Sequence, residues 1–411
     1  MAQQGEGPGE TVEIVRLGHA GDGVTADGLF VPGTVPGDRA RIRRAGERGH
    51  LIELIAPGPD RATPPCPHFG RCGGCSLQHV ARPAYLAWKR DLVATALKQR
   101  GFTDVPVEDI HAVAPATRRR ANFKAHATGG AISVGFYEAG SRLLVDLSEC
   151  PILVPELARM IPRLRGHLAK ILRGGETAEM LATATDSGID LTLSLKRKRD
   201  VDVLMALSGM ASALGLARLT WNGEDVAIAQ APTLRVGRFT VRLPPGAFLQ
   251  PTKEGERTLQ QLVVAASAGA RQVADLFSGC GTLALALAES HAVHAVDSLA
   301  SHVDALAAAA KEGRAKVTSE TRDLFRRPLL ATELVRFDTV VLDPPRPGAA
   351  AQAKALAQSR VPKVLYVSCS ASSFARDARI LADGGYRLDR VVPIDQFLWS
   401  PHVELFAEFS R

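Results

Sequence analysis

The sequence predicts an α/β protein in three parts: a small N-terminal β-barrel, an α+β middle domain, and a C-terminal doubly wound, Rossmann-like parallel sheet. Three observations carry this. From about Pro244 onward, strand and helix signals alternate, as a parallel sheet wrapped by helices requires. Residues 10–57 instead hold short alternating runs separated by glycine turns, which suits a five-stranded barrel of the oligonucleotide-binding kind. Between them lies a stretch of mixed strand and helix patterns that opens on three closely spaced cysteines. The expected bounds are 1–58, 59–240 and 241–411.

In the first part, Thr11 to Arg16 alternates apolar and polar residues, Gly18 to Gly28 is rich in turns, and residues 39–55 alternate again. A proline- and glycine-rich stretch from Ala56 to Asp60 closes the unit. In the middle part a helix is expected over 82–99, ended by Gly101, and a second over 155–172. The runs 188–195 and 200–207 read as strands. In the last part, strands are expected at 272–277, 292–296, 337–342 and 364–367, with helices at 282–289 and 300–311. The alternating run at 403–409 reads as a final edge strand.

The 411 residues are 46% hydrophobic, enough for a full core, and no apolar run is long enough to span a bilayer. The N-terminus lacks the basic-then-apolar order of a signal peptide, so a cytoplasmic protein with no membrane partner is expected. The net charge of +7 favours a polyanionic partner such as nucleic acid. Basic runs lie at Arg118 to Arg120, Lys196 to Arg199, and Arg326 and Arg327; each also reads as an ordinary solvated turn. No obligate protein partner is implied.

Asp275 to Thr282 joins a strand to a helix through Gly279 and Gly281, whose missing side chains let backbone approach a ligand. Asp297 ends the next strand, where a ribose hydroxyl is held in nucleotide-type sites. Asp323 suits an adenine amino group or, equally, a helix cap. Phe277 suits a wall of the same site. This order, continuing to Asp343-Pro344-Pro345, resembles S-adenosylmethionine-dependent methyltransferases. A dinucleotide-binding reading is the rival, weakened because Ala284 follows where a third glycine is usual.

Cys369 closes a buried strand in this half, at the sheet edge where such folds bind ligands, and Glu404 follows near the C-terminus. A thiol and a carboxylate on one pyrimidine ring supply a nucleophile for C6 and a base for the C5 proton. Cytosine C5 chemistry shares the thiol but usually adds a second cysteine near the Pro-Pro turn, and none lies between Asp343 and Cys369. A non-catalytic RNA-binding protein that retains the cofactor pocket is the third reading.

Five motifs in order complete the resemblance: Phe248-Leu249-Gln250, Asp275 to Gly281, Asp343 to Gly348, Tyr366 to Cys369, and His402-Val403-Glu404. Together they resemble the RNA (uracil-5-)-methyltransferases over nearly the whole chain. The resemblance implies a class I methyltransferase domain, Gln250, Phe277, Thr282, Asp297, Asp323 and Asp343 around S-adenosylmethionine or the target base, Cys369 as nucleophile and Glu404 as base. It implies a TRAM-type N-terminal barrel and an RNA substrate, 23S ribosomal RNA ahead of transfer RNA. The sequence departs from the family pattern at Thr252, Thr282 and Ser370, each of which keeps a small polar group.

Cys66, Cys72, Cys75 and Cys150 form C-x5-C-x2-C plus a distant cysteine. The spacing admits tetrahedral zinc or an iron–sulfur cluster. Resemblance to the cluster-bearing branch of the family implies [4Fe-4S]. Arg118 to Lys124 is the expected RNA-facing strand.

Overall fold

The structure, a computed structural model, describes residues 9–411. Residues 10–56 form a closed barrel with strands in the order Glu10–Leu17, Gly23–Thr25, Phe30–Val31, Arg48–Ala56 and Arg39–Ala45. Its core is small: Ile14, Leu29, Val31, Ala40 and Ile42. Buried Asp38 fixes the barrel's exit, accepting from the Val35 and Gly58 amides at 2.7 Å each while pairing with Arg61.

The middle sheet has seven strands, with Thr177–Thr185 between Arg120–Thr128 and Gly188–Leu195. Helices Pro155–Leu168 and Val201–Leu214 cover it. The second helix corrects an expectation, since 200–207 read as a strand. Asp200 caps it, accepting from the Val203 amide at 2.8 Å, and Gly215 ends it in the left-handed region at φ +64°. A strong cap and stop outweighed a brief Val-Asp-Val alternation.

The C-terminal sheet has eight strands, in the order Val317–Thr321, Ala292–Asp297, Gln272–Leu276, Thr339–Leu342, Lys363–Ser368, Glu404–Ser410, Arg387–Asp395 and His111–Ala112. The first five run parallel; Glu404–Ser410 runs antiparallel to both neighbours. It is an inner strand, which corrects the edge assignment. Its burial explains why: Glu404 to Ala407 are all buried, as an inner strand covered on both faces requires. Helices Lys253–Ala266, Thr282–Leu287 and Ala300–Glu312 pack one face, and Arg82–Lys98, Ala350–Ala357 and Ala371–Asp383 the other. Helix Arg82–Lys98 and strand His111–Ala112, though early in the chain, thus complete this last layer.

Candidate active site

The carboxyl ends of the parallel strands open into a cleft of about 500 Å³. Gln250, Phe277, Thr282, Asp297, Asp323, Asp343, Cys369 and Glu404 all line it. Sheet register explains how the last two meet. Lys363–Ser368 pairs antiparallel with Glu404–Ser410, and Ser368 faces Leu405. Cys369 follows Ser368 and Glu404 precedes Leu405, so both stand at the same end of this strand pair, close enough for the Glu404 charge to act on the thiol. Reversing the last strand's direction is what brings a C-terminal glutamate to the same sheet edge as the thiol.

On the nucleotide-type side, Phe277 leaves the strand Gln272–Leu276 at φ +66°, a conformation rare for a non-glycine residue. Gly279 follows at φ +53° with open space where a Cβ would stand, whereas a Cβ on Gly281 would strike Leu306 at 2.8 Å. The Asp297 carboxylate ties this turn to the next strand, accepting from the Gly279 amide at 3.0 Å and the Leu299 amide at 2.9 Å. Asp323 receives the Phe325 amide at 3.0 Å, which sets the Phe325 ring 5.5 Å from Phe277.

Two of the three departures from the family pattern have local explanations in their side chains; at Thr282 only the backbone is engaged. Thr252 caps helix Lys253–Ala266 through the Gly255 amide at 3.0 Å, and Ser370 caps helix Ala371–Asp383 through the Ser373 amide at 3.4 Å. Thr282 begins its helix, and its carbonyl accepts from Gln260 at 3.1 Å.

The end of the cleft nearest Cys369 is a chain of amides and acids. Gln250 Nε2 donates to Asp343 at 3.3 Å, Gln396 Nε2 donates to Gln250 Oε1 at 2.8 Å, and the same Gln396 nitrogen donates to Glu404 at 2.8 Å. Burial raises Asp343 to about 7 and lifts Glu404 well above the carboxylate range, the latter with help from the Asp343 charge. Cys369 is pushed up to about 11 by burial and then by the charges of Glu404 and Asp343, with Arg346 opposing. Burial and the Asp343 charge likewise raise Asp275, whose two oxygens lack a well-formed hydrogen bond. Arg322 and Arg346 also line the cleft, but around Asp275, Asp343 and Glu404 the carboxylates outweigh them, and a cationic ligand is the chemical complement of that part of the wall.

Cys369 also lines a second, larger cavity of about 1120 Å³. Its walls include Arg16 and His19 of the barrel, Trp88 of helix Arg82–Lys98, and Arg346 and His402. The thiol thus stands where two spaces meet.

Sequence reasoning quoted Asp275 and His402 only as parts of motifs and passed over Gln396. Its signal was a polar pair, Asp395-Gln396, directly after the apolar run Val391 to Ile394. The basic strand fares differently from expectation. Arg119 is 1% exposed and holds Glu256 and the Gln250 carbonyl (2.9 Å), so it joins domains and does not face outward. Lys124 pairs with Glu179, and Arg120 lies over the Phe248 ring at 5.3 Å.

Cys66, Cys72, Cys75 and Cys150 are all free and half-buried. They lie near enough to influence one another: burial and the neighbouring thiols raise Cys75 to about 11 and Cys150 to about 12. Among the described residues, no three or more His, Cys, Asp or Glu side chains form a closed metal-ligand set. No helix among them is long and apolar enough to cross a membrane.

Residues 227–408 match the family model described as tRNA (uracil-5-)-methyltransferase. An uncharacterized RNA methyltransferase of Brucella melitensis is 44% identical over 97% of both chains. The 23S rRNA (uracil(1939)-C(5))-methyltransferase RlmD of Chromohalobacter salexigens is 33% identical over 97% of this chain and 89% of that protein. Among solved structures, the Pyrococcus abyssi tRNA (uracil-54, C5)-methyltransferase in complex with S-adenosyl-L-homocysteine superposes with a TM-score of 0.76 at 23% identity, covering 97% of this chain and all of that one. With relatives this similar along their whole length, the chain belongs to the S-adenosylmethionine-dependent RNA (uracil-5-)-methyltransferases.

Proposed function

We propose that this enzyme methylates C5 of one uridine in structured RNA, 23S ribosomal RNA, by transient thiol addition. The observation that carries the reading is the strand pairing that brings Cys369 and Glu404 to the same end of the sheet, where both line one acid-walled cleft. S-adenosylmethionine supplies an electrophilic methyl group on a sulfonium, and its positive charge suits a cleft bearing Asp275, Asp343 and Glu404. Asp297, Asp323, Phe277, Thr282 and the open face of Gly279 are the groups that would hold its adenosine.

Cys369 adds through sulfur to C6, its proton passing to a cleft carboxylate, and the ring electrons gather at C5. C5 attacks the methyl group that the sulfonium would present, the methyl–sulfur bond breaks, and its electron pair stays on the cofactor's sulfur, which leaves as a neutral thioether. Glu404 then removes the C5 proton, the C5–C6 double bond re-forms, and the electron pair of the C6–S bond returns to sulfur. Gln396 and Gln250 hold Glu404 and Asp343 in place for these steps. The substrate uridine must leave its stack to reach the thiol, and the larger cavity beside the barrel offers the approach.

The barrel is read as a TRAM-type RNA-gripping unit. Cys66, Cys72, Cys75 and Cys150 are read as ligands of a [4Fe-4S] cluster, with zinc the alternative. Their donor chemistry fits, since crowded, half-buried thiols become favourable as thiolates only around a cationic centre. The full-length likeness to RlmD supports 23S ribosomal RNA over transfer RNA. Nucleoside mass spectrometry of both RNA pools from cells lacking this chain tests the assignment. Loss of 5-methyluridine from 23S ribosomal RNA is expected; loss from transfer RNA alone would move the substrate, and no loss would overturn the reading.

A further inference from the structure

The loop between strands Arg387–Asp395 and Glu404–Ser410 brings His402 to the cleft, leads into Glu404, and carries Gln396, which donates to Glu404 at 2.8 Å. It is held from a distant part of the chain. Tyr85 and Lys89, on helix Arg82–Lys98, both reach buried Asp395 at the loop's start, the tyrosine hydroxyl at 2.9 Å. Lys89 Nζ also donates to the Phe397 carbonyl at 3.0 Å, and the Trp399 amide donates to the Tyr85 hydroxyl oxygen at 2.8 Å. The Trp399 carbonyl accepts the amides of Ser76 (2.9 Å) and Leu77 (3.2 Å), the two residues that follow Cys75. Trp399 itself sits at φ +55°, a conformation that persists only where its surroundings impose it. Gln78 extends the connection to the cysteines, accepting the Cys66 amide at 3.1 Å.

We propose that Tyr85, Lys89 and the amides of Ser76 and Leu77 are positioning groups for the general base, so that the cysteine segment and the Glu404 loop behave as one unit. The inference rests on the reading of Glu404 as the group that takes the C5 proton. It assigns the segment that carries Cys66, Cys72 and Cys75 a task in catalysis, holding the base on the pyrimidine ring. No electron transfer is involved.

Tyr85→Phe in the full-length protein removes one oxygen and both of its hydrogen bonds. The test compares RNA carrying uridine with RNA carrying 5-fluorouridine, whose C5 offers Glu404 no proton. The variant is expected to form the covalent 5-fluorouridine adduct at a rate within about twofold of the parent, while kcat on uridine RNA falls about tenfold at unchanged KM. A methylated adduct should accumulate on uridine RNA, and hydrogen exchange at the Trp399 amide should quicken by about tenfold. Equal losses on the two RNAs, no loss on uridine RNA, or unchanged exchange at Trp399 would each overturn the inference alone. A parent protein that forms no adduct at all would overturn the inference together with the reading beneath it.

Discussion

The scaffold outside the cleft and the floor of the cleft both bury carboxylates, but they treat them oppositely. In the scaffold, Glu256 faces the guanidinium of Arg119 at the joint between the middle and C-terminal sheets, Asp190 receives Arg218 in a two-point grip at 2.9 and 2.7 Å within the middle sheet, and Asp395 meets Lys89 within the C-terminal layer. In the cleft, Asp275, Asp343 and Glu404 pair with no basic side chain among the described residues; side-chain amides reach Asp343 and Glu404. Removing one member of a buried ion pair strands a charge, whereas an unpaired buried acid is already a cost the fold carries. Acids left unpaired at a strand-end cleft, beside a thiol, mark where stability has been given up for chemistry.

Neutral substitutions in the two regions should therefore have opposite signatures. The largest effect is expected at Glu404→Gln, which keeps shape and burial but cannot accept the C5 proton. Its kcat should fall by about a thousandfold or more, with the melting temperature unchanged or higher. A variant that loses stability in step with activity would erase the distinction between the regions. At the joint, Arg119→Ala leaves Glu256 buried without a counter-charge, and urea unfolding should show a loss of about 3–5 kcal/mol. A loss of only a few tenths would mean that the pair is solvated in solution.

The smallest effect concerns pH. The folded protein holds the Asp343 proton up to about pH 7, whereas in the unfolded chain a carboxyl releases it near pH 4. Stability from this group is therefore complete below about pH 4 and is lost as pH rises to about 7. The melting temperature of ligand-free protein should fall across that window, and Asp343→Asn should flatten the fall. A curve that rises instead would contradict the unpaired state of the cleft acids.

Much of the cleft was legible because its residues sit at local landmarks. Asp297, Asp343 and Cys369 each end or follow a continuous apolar run, and Gly279 and Gly281 announce a turn, so short-range pattern found them. The ion pairs outside the cleft were nearly invisible. Tyr85 and Lys89 lie on a helix whose sequence gives no hint of Asp395, some 300 residues away. Arg119 looked like part of a basic surface strand because nothing local distinguishes a guanidinium that meets Glu256 from one that meets solvent. The last strand was misplaced for a related reason. Alternation in 403–409 shows a strand but not which neighbours it will have, and the insertion of Glu404–Ser410 between two others is decided by the sheet as a whole.

The central claim is that the Cys369 sulfur bonds to the pyrimidine ring. Its most direct test is mass spectrometry of the protein digested after reaction with 5-fluorouridine RNA and S-adenosylmethionine. The account predicts a methylated nucleotide on the peptide containing Cys369 and none from Cys369→Ala. A nucleotide found on Cys280 instead, or 5-methyluridine formed by Cys369→Ala at the parent rate, would contradict it.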